Sequence, residues 1–304
     1  MKSVVLLALI VLAVAVLSAP AAPADAIRVA YAGSMGAVMD GKIGPAFAHA
    51  NGAEYQGIGQ GAYGLAHLLE SRQMRADVFV SITPGPMQLL IKGGLVKAAA
   101  PIASTQMVIA YSPASRLAKL FDQEGATTPW YKVLEMPGVR FGRTDPATDP
   151  QGQNIIFTFM LAEKYYHQAG LTKAVLGPTR NPAQIFTEPS LLARLESGQL
   201  DASSGYLSAV ESQHLPYVKL PPEINLADPS YFAAWYSKAA FTTTAPDGKA
   251  IIAKPQPLVF YAAALANAAH PELARKFVEY LRDAEGQRAL RASGYGGPLG
   301  GALE

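Results

Sequence analysis

Residues 27–36 read IRVAYAGSMG, an apolar run with β-branched and aromatic residues that breaks into small residues at positions 32–36. Such a run predicts a buried strand, and the small residues predict a tight turn into the next element. The same order returns at residues 76–86, ADVFVSITPGP. Further strands are predicted at residues 106–111, 139–142 and 202–206. Strands that alternate with helices in this way predict an α/β protein with mostly parallel sheets.

Helical periodicity fills the stretches between these strands. The apolar positions of one long helix fall at steps of four, three and four residues, and they are Ile155, Phe159, Ala162 and Tyr166. This spacing places them on one buried face. Shorter helices are predicted at residues 190–196 and from Pro271, because proline suits the first turn of a helix. Residues 221–254 are irregular, and a crossing between lobes is expected there.

The N-terminal segment has the layout of a secretory signal peptide. Lys2 precedes an unbroken apolar stretch at residues 4–17, which is shorter than the roughly 20 residues that a membrane-spanning helix needs. Patterns of the A-x-A type follow, so we expect cleavage near Ala24 or Ala26 and assign residues 1–24 to the signal peptide. An uncleaved membrane anchor is the alternative. The remaining length of about 280 residues is enough for two lobes.

The composition excludes several kinds of site and partner. The chain has no cysteine, which excludes disulfides, thiolate metal sites, a cysteine nucleophile and lipid anchoring through a cysteine. The net charge is +2 and the basic residues are scattered, so nucleic-acid binding is not expected. We therefore expect an exported, periplasmic monomer that carries no cofactor.

Three loops share one design, in which a strand ends in small residues and a helix begins directly after them. They are residues 32–36, 57–62 and 149–153. Glycine lets the backbone approach a ligand, and the N–H groups in the first turn of a helix favour negative charge. Such loops, meeting in one cleft, would bind a small anion without arginine or lysine. Turn formation alone is the alternative for each loop.

Motifs of common hydrolases and nucleotide-binding enzymes are missing. The chain has no G-x-S-x-G, H-E-x-x-H or G-x-x-x-x-G-K-[ST] sequence, and its five histidines are scattered. A secreted enzyme that uses Asp149 and Glu188 for acid–base chemistry remains an alternative. An aromatic group offers either a stacking platform for an organic ligand or packing between lobes, and it consists of Tyr231, Phe232, Trp235 and Tyr236.

Several motifs together resemble the periplasmic molybdate/tungstate-binding proteins of ABC importers. In chain order they are AGS at 32–34, ADVFVS at 76–81, GRTDP at 142–146, DPQG at 149–152, LAEKYY at 161–166, LESGQLD at 195–201 leading to Tyr206 and Ser208, LPPEINL at 220–226, and the helices of residues 274–295. Their order and spacing carry the resemblance over most of the chain after the signal segment.

The resemblance implies the type II periplasmic-binding-protein fold. Two α/β lobes, each a mainly parallel sheet flanked by helices, would be joined by two crossing strands, with the ligand in the cleft. Lobe one would comprise residues 27–103 and 241–304, and lobe two residues 104–240. The implied function is that of a solute-binding protein, not an enzyme. It would capture a small oxyanion such as molybdate or tungstate and deliver it to a permease and an ATPase of the inner membrane.

The resemblance also implies a set of ligand-binding residues. Ser34 matches the first oxyanion-binding serine of the family, and Tyr206 matches its binding tyrosine. Residues 59–62 replace a second serine, and Gly205 stands where the tungstate-binding branch has a glutamate. The full set comprises Gly33, Ser34, Met35, Gly59, Gln60, Gly61, Ala62, Asp149, Gln151, Ser190 and Tyr206.

Hydrogen-bond donors are expected to hold the anion when the lobes close. Ser34 would donate its hydroxyl and amide, residues 59–62 and Gln151 their amides, and Tyr206 its phenol. Asp149 is expected to turn away and cap the following helix, because an ionised carboxylate facing an anion would repel it.

Two alternatives concern the ligand itself. If Asp149 does reach the ligand, that ligand must carry a proton to donate or a metal centre that accepts an oxygen. The other alternative is a different anion or a small polar organic molecule that contacts the side chains of Gln60 and Tyr63.

Overall fold

The computed structural model describes residues 26–122, 127–244 and 248–304. The predicted signal peptide lies outside the described residues. The strands are β1 (Ala26–Ala32), β2 (Glu54–Gln60), β3 (Val78–Ile82), β4 (Ala100–Ser104), β5 (Met107–Tyr111), β6 (Phe141–Gly142), β7 (Ala202–Tyr206), β8 (Tyr217–Lys219), β9 (Phe241–Thr244), β10 (Ala250–Ala253) and β11 (Val259–Ala264). The strands predicted near residues 27, 76, 106, 139 and 202 are confirmed.

Twelve α-helices cover the sheets within the described ranges. They are α1 (Gly36–Val38), α2 (Gly44–Asn51), α3 (Ala62–Glu70), α4 (Pro84–Lys92), α5 (Ala118–Phe121), α6 (Trp130–Leu134), α7 (Pro150–Tyr165), α8 (Leu171–Leu176), α9 (Glu188–Glu196), α10 (Leu207–Ser212), α11 (Pro271–Arg282) and α12 (Ala284–Arg291). Short 3₁₀ segments lie at Gly33–Met35, Pro229–Tyr231 and Tyr236–Lys238, and a π-helical turn at Met39–Ile43. No helix of these ranges combines the length and apolar character needed to cross a membrane.

Two sheets form the centres of two lobes. The first sheet has the strand order β2-β1-β3-β11-β4, and the second has the order β6-β7-β5-β8. We call each sheet with its helices the first and the second lobe. The α/β fold with two helix-flanked sheets is confirmed.

The expectation that each sheet is mainly parallel is wrong in detail. β1 runs parallel to β2 and β3, but β11 is antiparallel to β3 and β4. In the second sheet only β6 and β7 are parallel, whereas β5 is antiparallel to β7 and β8. Parallel neighbours need a crossover connection, usually a helix, and such helices join β1, β2 and β3. β11 instead enters the first sheet after the chain has passed through the second lobe.

The chain passes between the lobes twice, and the two passages lie side by side. Thr105, between β4 and β5, donates its backbone N–H to the carbonyl of Leu258, just before β11, at 3.0 Å. The β9–β10 pair at 241–253 joins neither sheet. The lobe boundaries at 103/104 and 240/241 therefore stay predictions.

Burial explains why these segments adopt their structures. All five residues of β3 are buried, as expected for a strand covered on both faces. The predicted long helix is confirmed as α7, in which Ile155 and Phe159 have no exposed surface. Residues of α7 around its whole circumference are buried over the first ten positions. It therefore runs through the second lobe, and its N-terminus opens at the cleft.

Candidate functional site

Loops from both lobes line a cavity of about 600 Å³ in the cleft. The first lobe contributes the turns after β1 and β2, and the second lobe contributes the loop before α7 and the segment leading into α9. The lining residues are Gly33, Gly59, Gln60, Gly61, Gly64, Thr144, Asp145, Thr148, Asp149, Ile185, Phe186, Thr187, Glu188 and Pro189. The three loops that the sequence indicated all contribute residues to this cavity.

A second cavity of about 440 Å³ adjoins the first. Gly33, Gly59 and Pro189 line both cavities, so they form a shared wall. Ser34 lines the second cavity, together with Asp40 and Glu196. The predicted ligand-binding residues are thus divided between two adjoining spaces.

The two lobes touch across the cleft. Gly64, in α3, donates its N–H to the carbonyl of Thr148 at 3.0 Å. A Cβ atom on Gly61 would lie 2.6 Å from the same carbonyl oxygen, closer than real Cβ contacts. Glycine at position 61 is therefore required for this approach of the lobes.

Ser34 carries an unpaired hydroxyl beside this wall. Its side chain is 4% exposed, and its Oγ makes no hydrogen bond within the described part of the chain. The Ser34 carbonyl accepts a hydrogen bond from the Tyr295 hydroxyl at 3.0 Å, which fixes the turn. A buried hydroxyl without a partner costs about 1–3 kcal/mol. Ser34 is therefore suited to donate to a ligand.

The turn after β2 leads directly into α3. This helix begins at Ala62, and no side chain caps its first turn. Gly64, in this turn, already donates its N–H to Thr148, so Ala62 and Tyr63 carry the amides that an acceptor could reach, in keeping with the general preference of helix N-termini for anions.

Asp149 caps α7, as the sequence predicted. Its Oδ1 accepts a hydrogen bond from the backbone N–H of Gln151 at 2.9 Å. The Gln151 amide, which the sequence analysis assigned to the ligand, is thereby engaged by the cap. Asp149 also lines the larger cavity. Asp149 therefore caps α7 and also faces the cleft.

Glu188 is the first residue of α9 and is 4% exposed. Its Oε1 accepts from Nε2 of Gln151 at 2.7 Å, and the side-chain Oε1 of Gln151 accepts from the Ser204 hydroxyl at 2.7 Å. This chain of hydrogen bonds connects α9 with α7 and β7. The two carboxylates considered for the enzyme alternative, Asp149 and Glu188, therefore face one cavity.

Burial decides the protonation of both carboxylates. Each stands at a helix N-terminus, which favours the ionised form. Desolvation opposes this and raises the pKa of Asp149 to about 6, although the Gln151 N–H lowers it again in part. Burial, followed by the Asp149 charge, raises the pKa of Glu188 well above its ordinary range. Desolvation therefore outweighs the helix dipoles here.

Tyr206 lines neither of the two cleft cavities. The residue is fully buried, and its hydroxyl oxygen accepts from Nδ2 of Asn154 at 2.9 Å. Burial and the nearby Asp149 and Glu188 charges raise the pKa of the Tyr206 phenol well above its ordinary value. The phenol thus keeps its proton and can donate it to an acceptor.

The glutamate expected beside Tyr206 has no place in this fold. A Cβ on Gly205 would lie 2.7 Å from Cγ2 of Val210, inside the packing of the second lobe. Position 205 therefore packs in the interior and has no room for a large side chain. A cleft carboxylate comes instead from Glu188, which lines the larger cavity.

The remaining predicted ligand-binding residues differ in whether they line the cleft cavities. Met35 and Ala62 are fully buried and line neither cleft cavity. The Ser190 hydroxyl accepts from Nε of Arg194 at 3.2 Å and also lines neither. Gln60 is exposed at the larger cavity, as the alternative of a polar organic ligand requires. The Tyr63 hydroxyl instead interacts with Gln256.

Sequence reasoning missed Thr144 as a site residue. It is 1% exposed, it lines the larger cavity, and its hydroxyl interacts with the Asp149 carboxylate. Its position between the end of β6 and the start of α7 is the available signal, because ligands of α/β folds bind where strands end and helices begin.

The aromatic group of residues 231–236 packs away from these two cavities. Trp235 stacks at a tilt on Tyr165 with ring centroids 5.9 Å apart, and Tyr231 lies against Tyr236 at 6.4 Å. None of the four lines either cleft cavity. Trp235 and Tyr231 are thus engaged in packing, whereas Phe232 is 40% exposed and, with Tyr236, lines a separate cavity of about 270 Å³.

Comparisons with known proteins support the resemblance found in the sequence. The chain is 33% identical over 195 residues to an uncharacterized solute-binding protein of Petrotoga mobilis, covering 63% of this chain and 59% of that protein. It is 32% identical over 211 residues to the molybdate/tungstate-binding protein WtpA of Pyrococcus abyssi, covering 62% and 59%. The chain thus spans less than two thirds of the length of these relatives.

The fold agrees with a solved structure of lower sequence identity. The periplasmic molybdate-binding protein of Azotobacter vinelandii superposes with a TM-score of 0.60 at 15% identity, over 90% of this chain and 100% of that one. The type II periplasmic-binding-protein fold is confirmed by this likeness. Residues 27–296 match the family model described as bacterial extracellular solute-binding protein. The chain therefore belongs to the bacterial extracellular solute-binding proteins.

Proposed function

We propose that this protein captures a small metal oxyanion, molybdate or tungstate, in the cleft between its lobes and delivers it to the permease and ATPase of an ABC importer. The observation that carries the proposal is the unpaired Ser34 hydroxyl at a wall made of backbone from both lobes. The names of the Pyrococcus and Azotobacter proteins support the same ligand class.

The donors of the site suit an oxyanion. Ser34 offers its hydroxyl, and Ala62 and Tyr63 offer their amides at the start of α3. Tyr206 lines neither cavity, but its phenol stays protonated and is the third donor of the proposal. No arginine or lysine is among the residues that line either cleft cavity. Uncharged donors placed by the backbone can bind a dianion when water is excluded, since hydrogen bonds to charged groups are the strong ones.

The two carboxylates favour a metal oxyanion over sulfate or phosphate. Ionised Asp149 and Glu188 would repel an anion that only accepts hydrogen bonds. A tetrahedral molybdate or tungstate centre can add further oxygen ligands. One oxygen from each carboxylate would complete the coordination of the metal. Capping of α7 occupies Oδ1 of Asp149, so we assign its other oxygen to this contact. The site then fits a ligand with a metal centre, which was one of the alternatives in the sequence analysis.

Export, oligomeric state and lobe closure complete the proposal. We infer a periplasmic monomer whose signal peptide, residues 1–24, is removed, and whose lobes comprise residues 27–103 with 241–304 and residues 104–240. Closure of the two lobes on the ligand would form the surface that the permease recognises. The site residues would act in binding only, without catalysis.

One observation favours a second candidate ligand. The larger cavity measures about 600 Å³ and has Ile185 and Phe186 in its wall. Cavities of roughly 300–1,000 Å³ with apolar walls commonly hold organic ligands. A small organic anion that contacts Gln60 is therefore the alternative.

Thermal unfolding with a ligand panel tests the proposal. Purified protein is heated with molybdate, tungstate, sulfate, phosphate and a set of small organic acids. A ligand at a hundred times its dissociation constant stabilises the folded state by about 2.7 kcal/mol. We expect molybdate and tungstate to raise the melting temperature and sulfate to leave it unchanged. Stabilisation by an organic acid alone would support the second candidate instead.

A further inference from the structure

Gln151 contacts both carboxylates of the larger cavity without lining that cavity itself. Its backbone N–H donates to Oδ1 of Asp149 at 2.9 Å, and its side-chain Nε2 donates to Oε1 of Glu188 at 2.7 Å. Gln151 has no exposed surface and lines neither cleft cavity, whereas Asp149 and Glu188 both line the larger one. One buried residue therefore fixes the positions of the two carboxylates relative to each other.

Ser204 holds the side-chain amide of Gln151 in this orientation. Its hydroxyl donates to Oε1 of Gln151 at 2.7 Å, and the residue is 2% exposed. Ser204 stands in β7 opposite Ile109 of β5, so the sheet of the second lobe fixes its backbone. With its oxygen engaged by Ser204, the Gln151 amide directs an N–H group at Glu188. A rotated amide would direct its oxygen at the carboxylate, and two acceptors would then face each other.

Ser203 provides a matched comparison on the same strand. It has no exposed surface, and its hydroxyl donates to the carbonyl of the adjacent Ser204 at 3.0 Å. Successive side chains of a strand point to opposite faces of the sheet. The two serines thus share burial and a hydrogen-bonded hydroxyl. The Ser204 hydroxyl leads through Gln151 to Glu188, whereas the Ser203 hydroxyl bonds to the neighbouring backbone.

We propose that Gln151 and Ser204 are positioning residues that hold the Asp149 and Glu188 carboxylates at the separation needed to bind one oxyanion. Each carboxylate uses one oxygen for its bond to Gln151, and its other oxygen would reach the metal centre of molybdate or tungstate. In metal sites, hydrogen-bonded partners of this kind orient the side chains that bind the metal. The assignment rests on the proposed oxyanion function, and it makes Gln151 and Ser204 determinants of affinity that act through the carboxylates.

Calorimetric titration with sodium tungstate tests the assignment in five proteins: the wild type, Gln151→Met, Ser204→Ala, the double variant with both changes, and Ser203→Ala. Methionine keeps the length of the side chain and removes its donor and acceptor. We expect the dissociation constant to rise about tenfold to a hundredfold in Gln151→Met and about tenfold in Ser204→Ala, the usual range for residues that orient metal-binding side chains. Ser203→Ala should bind as the wild type does.

The double variant separates positioning from packing. If Ser204 acts through Gln151, the double variant should bind within about twofold of Gln151→Met, because methionine leaves no amide for Ser204 to hold. Losses of affinity that multiply would indicate two independent packing effects and would overturn the assignment.

The two serine variants give a second decision, which holds even if circular dichroism shows that Gln151→Met does not fold. Equal tungstate affinity in Ser204→Ala and Ser203→Ala overturns the assignment and leaves the proposed function standing. A wild type that binds neither tungstate nor molybdate contradicts the proposed function and this assignment together.

Discussion

At the larger cavity the first-lobe face presents backbone and uncharged side chains, whereas the second-lobe face presents the buried Asp149 and Glu188 carboxylates. Gly33, Ser34 and Gly59 carry no charge, while Asp149 and Glu188 share one cavity and have raised pKa values. The difference suggests that the two lobes have separate roles in ligand binding. Under the proposed function, we expect the first lobe to accept a range of small anions and the second lobe to restrict which of them bind.

The first lobe achieves this by close backbone approach. A Cβ on Gly59 would lie 2.5 Å from the Tyr31 ring, and one on Gly61 would meet the Thr148 carbonyl of the other lobe. Side chains are excluded there, so the backbone itself reaches the cleft. The second lobe instead relies on side chains whose positions are fixed by hydrogen bonds to one another.

Substitution of Gly61, on the first-lobe face, should cause the largest loss of ligand affinity. In Gly61→Val the side chain would collide with the Thr148 carbonyl, so the lobes cannot reach the observed approach. We expect the affinity for tungstate to fall about a hundredfold, about 2.8 kcal/mol, in calorimetric titrations. Gly64→Ala is the matched control, because its Cβ would lie 3.7 Å from the Thr148 side chain, an ordinary contact. Equal binding by both variants would show that closure at this point is not needed.

Removal of single donors from each face should have a smaller effect. Ser34→Ala and Tyr206→Phe should each weaken oxyanion binding by roughly 1–3 kcal/mol, because a charged acceptor loses one buried donor. The measurement is a calorimetric titration, with circular dichroism to check the fold. If both variants bind as the wild type does, the anion lies elsewhere in the cleft.

The charge of the second-lobe face is tested by Asp149→Asn. Asparagine keeps the cap on α7 and removes the charge. If Asp149 binds a metal centre, tungstate affinity should fall tenfold or more, about 1.4 kcal/mol. Asp145→Asn is the control, since Asp145 lines the same cavity but forms an ion pair with Arg180 at 2.9 Å. Unchanged or tighter binding by Asp149→Asn would leave Asp149 with its capping role alone.

The same carboxylates predict a pH dependence of stability. A carboxyl group with a raised pKa holds its proton in the folded state at pH values where the unfolded state has released it. For Asp149 this window runs from about 4 to about 6, so the free energy of unfolding should fall as the pH rises through it. Glu188 acts in the same direction.

Melting temperatures between pH 4.5 and 7 check this expectation. The ligand-free wild type should lose stability with rising pH relative to the double variant Asp149→Asn with Glu188→Gln, which lacks both titrating groups. Curves that run parallel for the two proteins would mean that the carboxyl groups titrate normally in the folded state.

Local patterns in the sequence were sufficient for most of the fold. The apolar run of residues 76–82 predicted β3, and the Asp-Pro pair at 149 and 150 predicted the cap of α7, because each depends on neighbours in the chain. The antiparallel entry of β11 was not predictable in this way, since it depends on the path of the chain through the second lobe.

Prediction of the site residues was limited in the same way, because their contacts join segments that are distant in sequence. Glu188 and Asp149 are far apart in sequence and meet only because Gln151 connects α7 with α9. The unpaired hydroxyl of Ser34 depends on burial by other segments, which no spacing in the sequence reveals. Ser34 was identified only through the family resemblance.

An anomalous-scattering map of crystals grown with tungstate tests the central proposal most directly. Tungsten scatters anomalously, so its position can be read without assumptions about the ligand. We predict a single strong peak at the wall formed by Gly33, Gly59 and Pro189, within bonding distance of the Asp149 and Glu188 carboxylates. A peak confined to the protein surface, or none in the cleft at saturating tungstate, would contradict the proposed function.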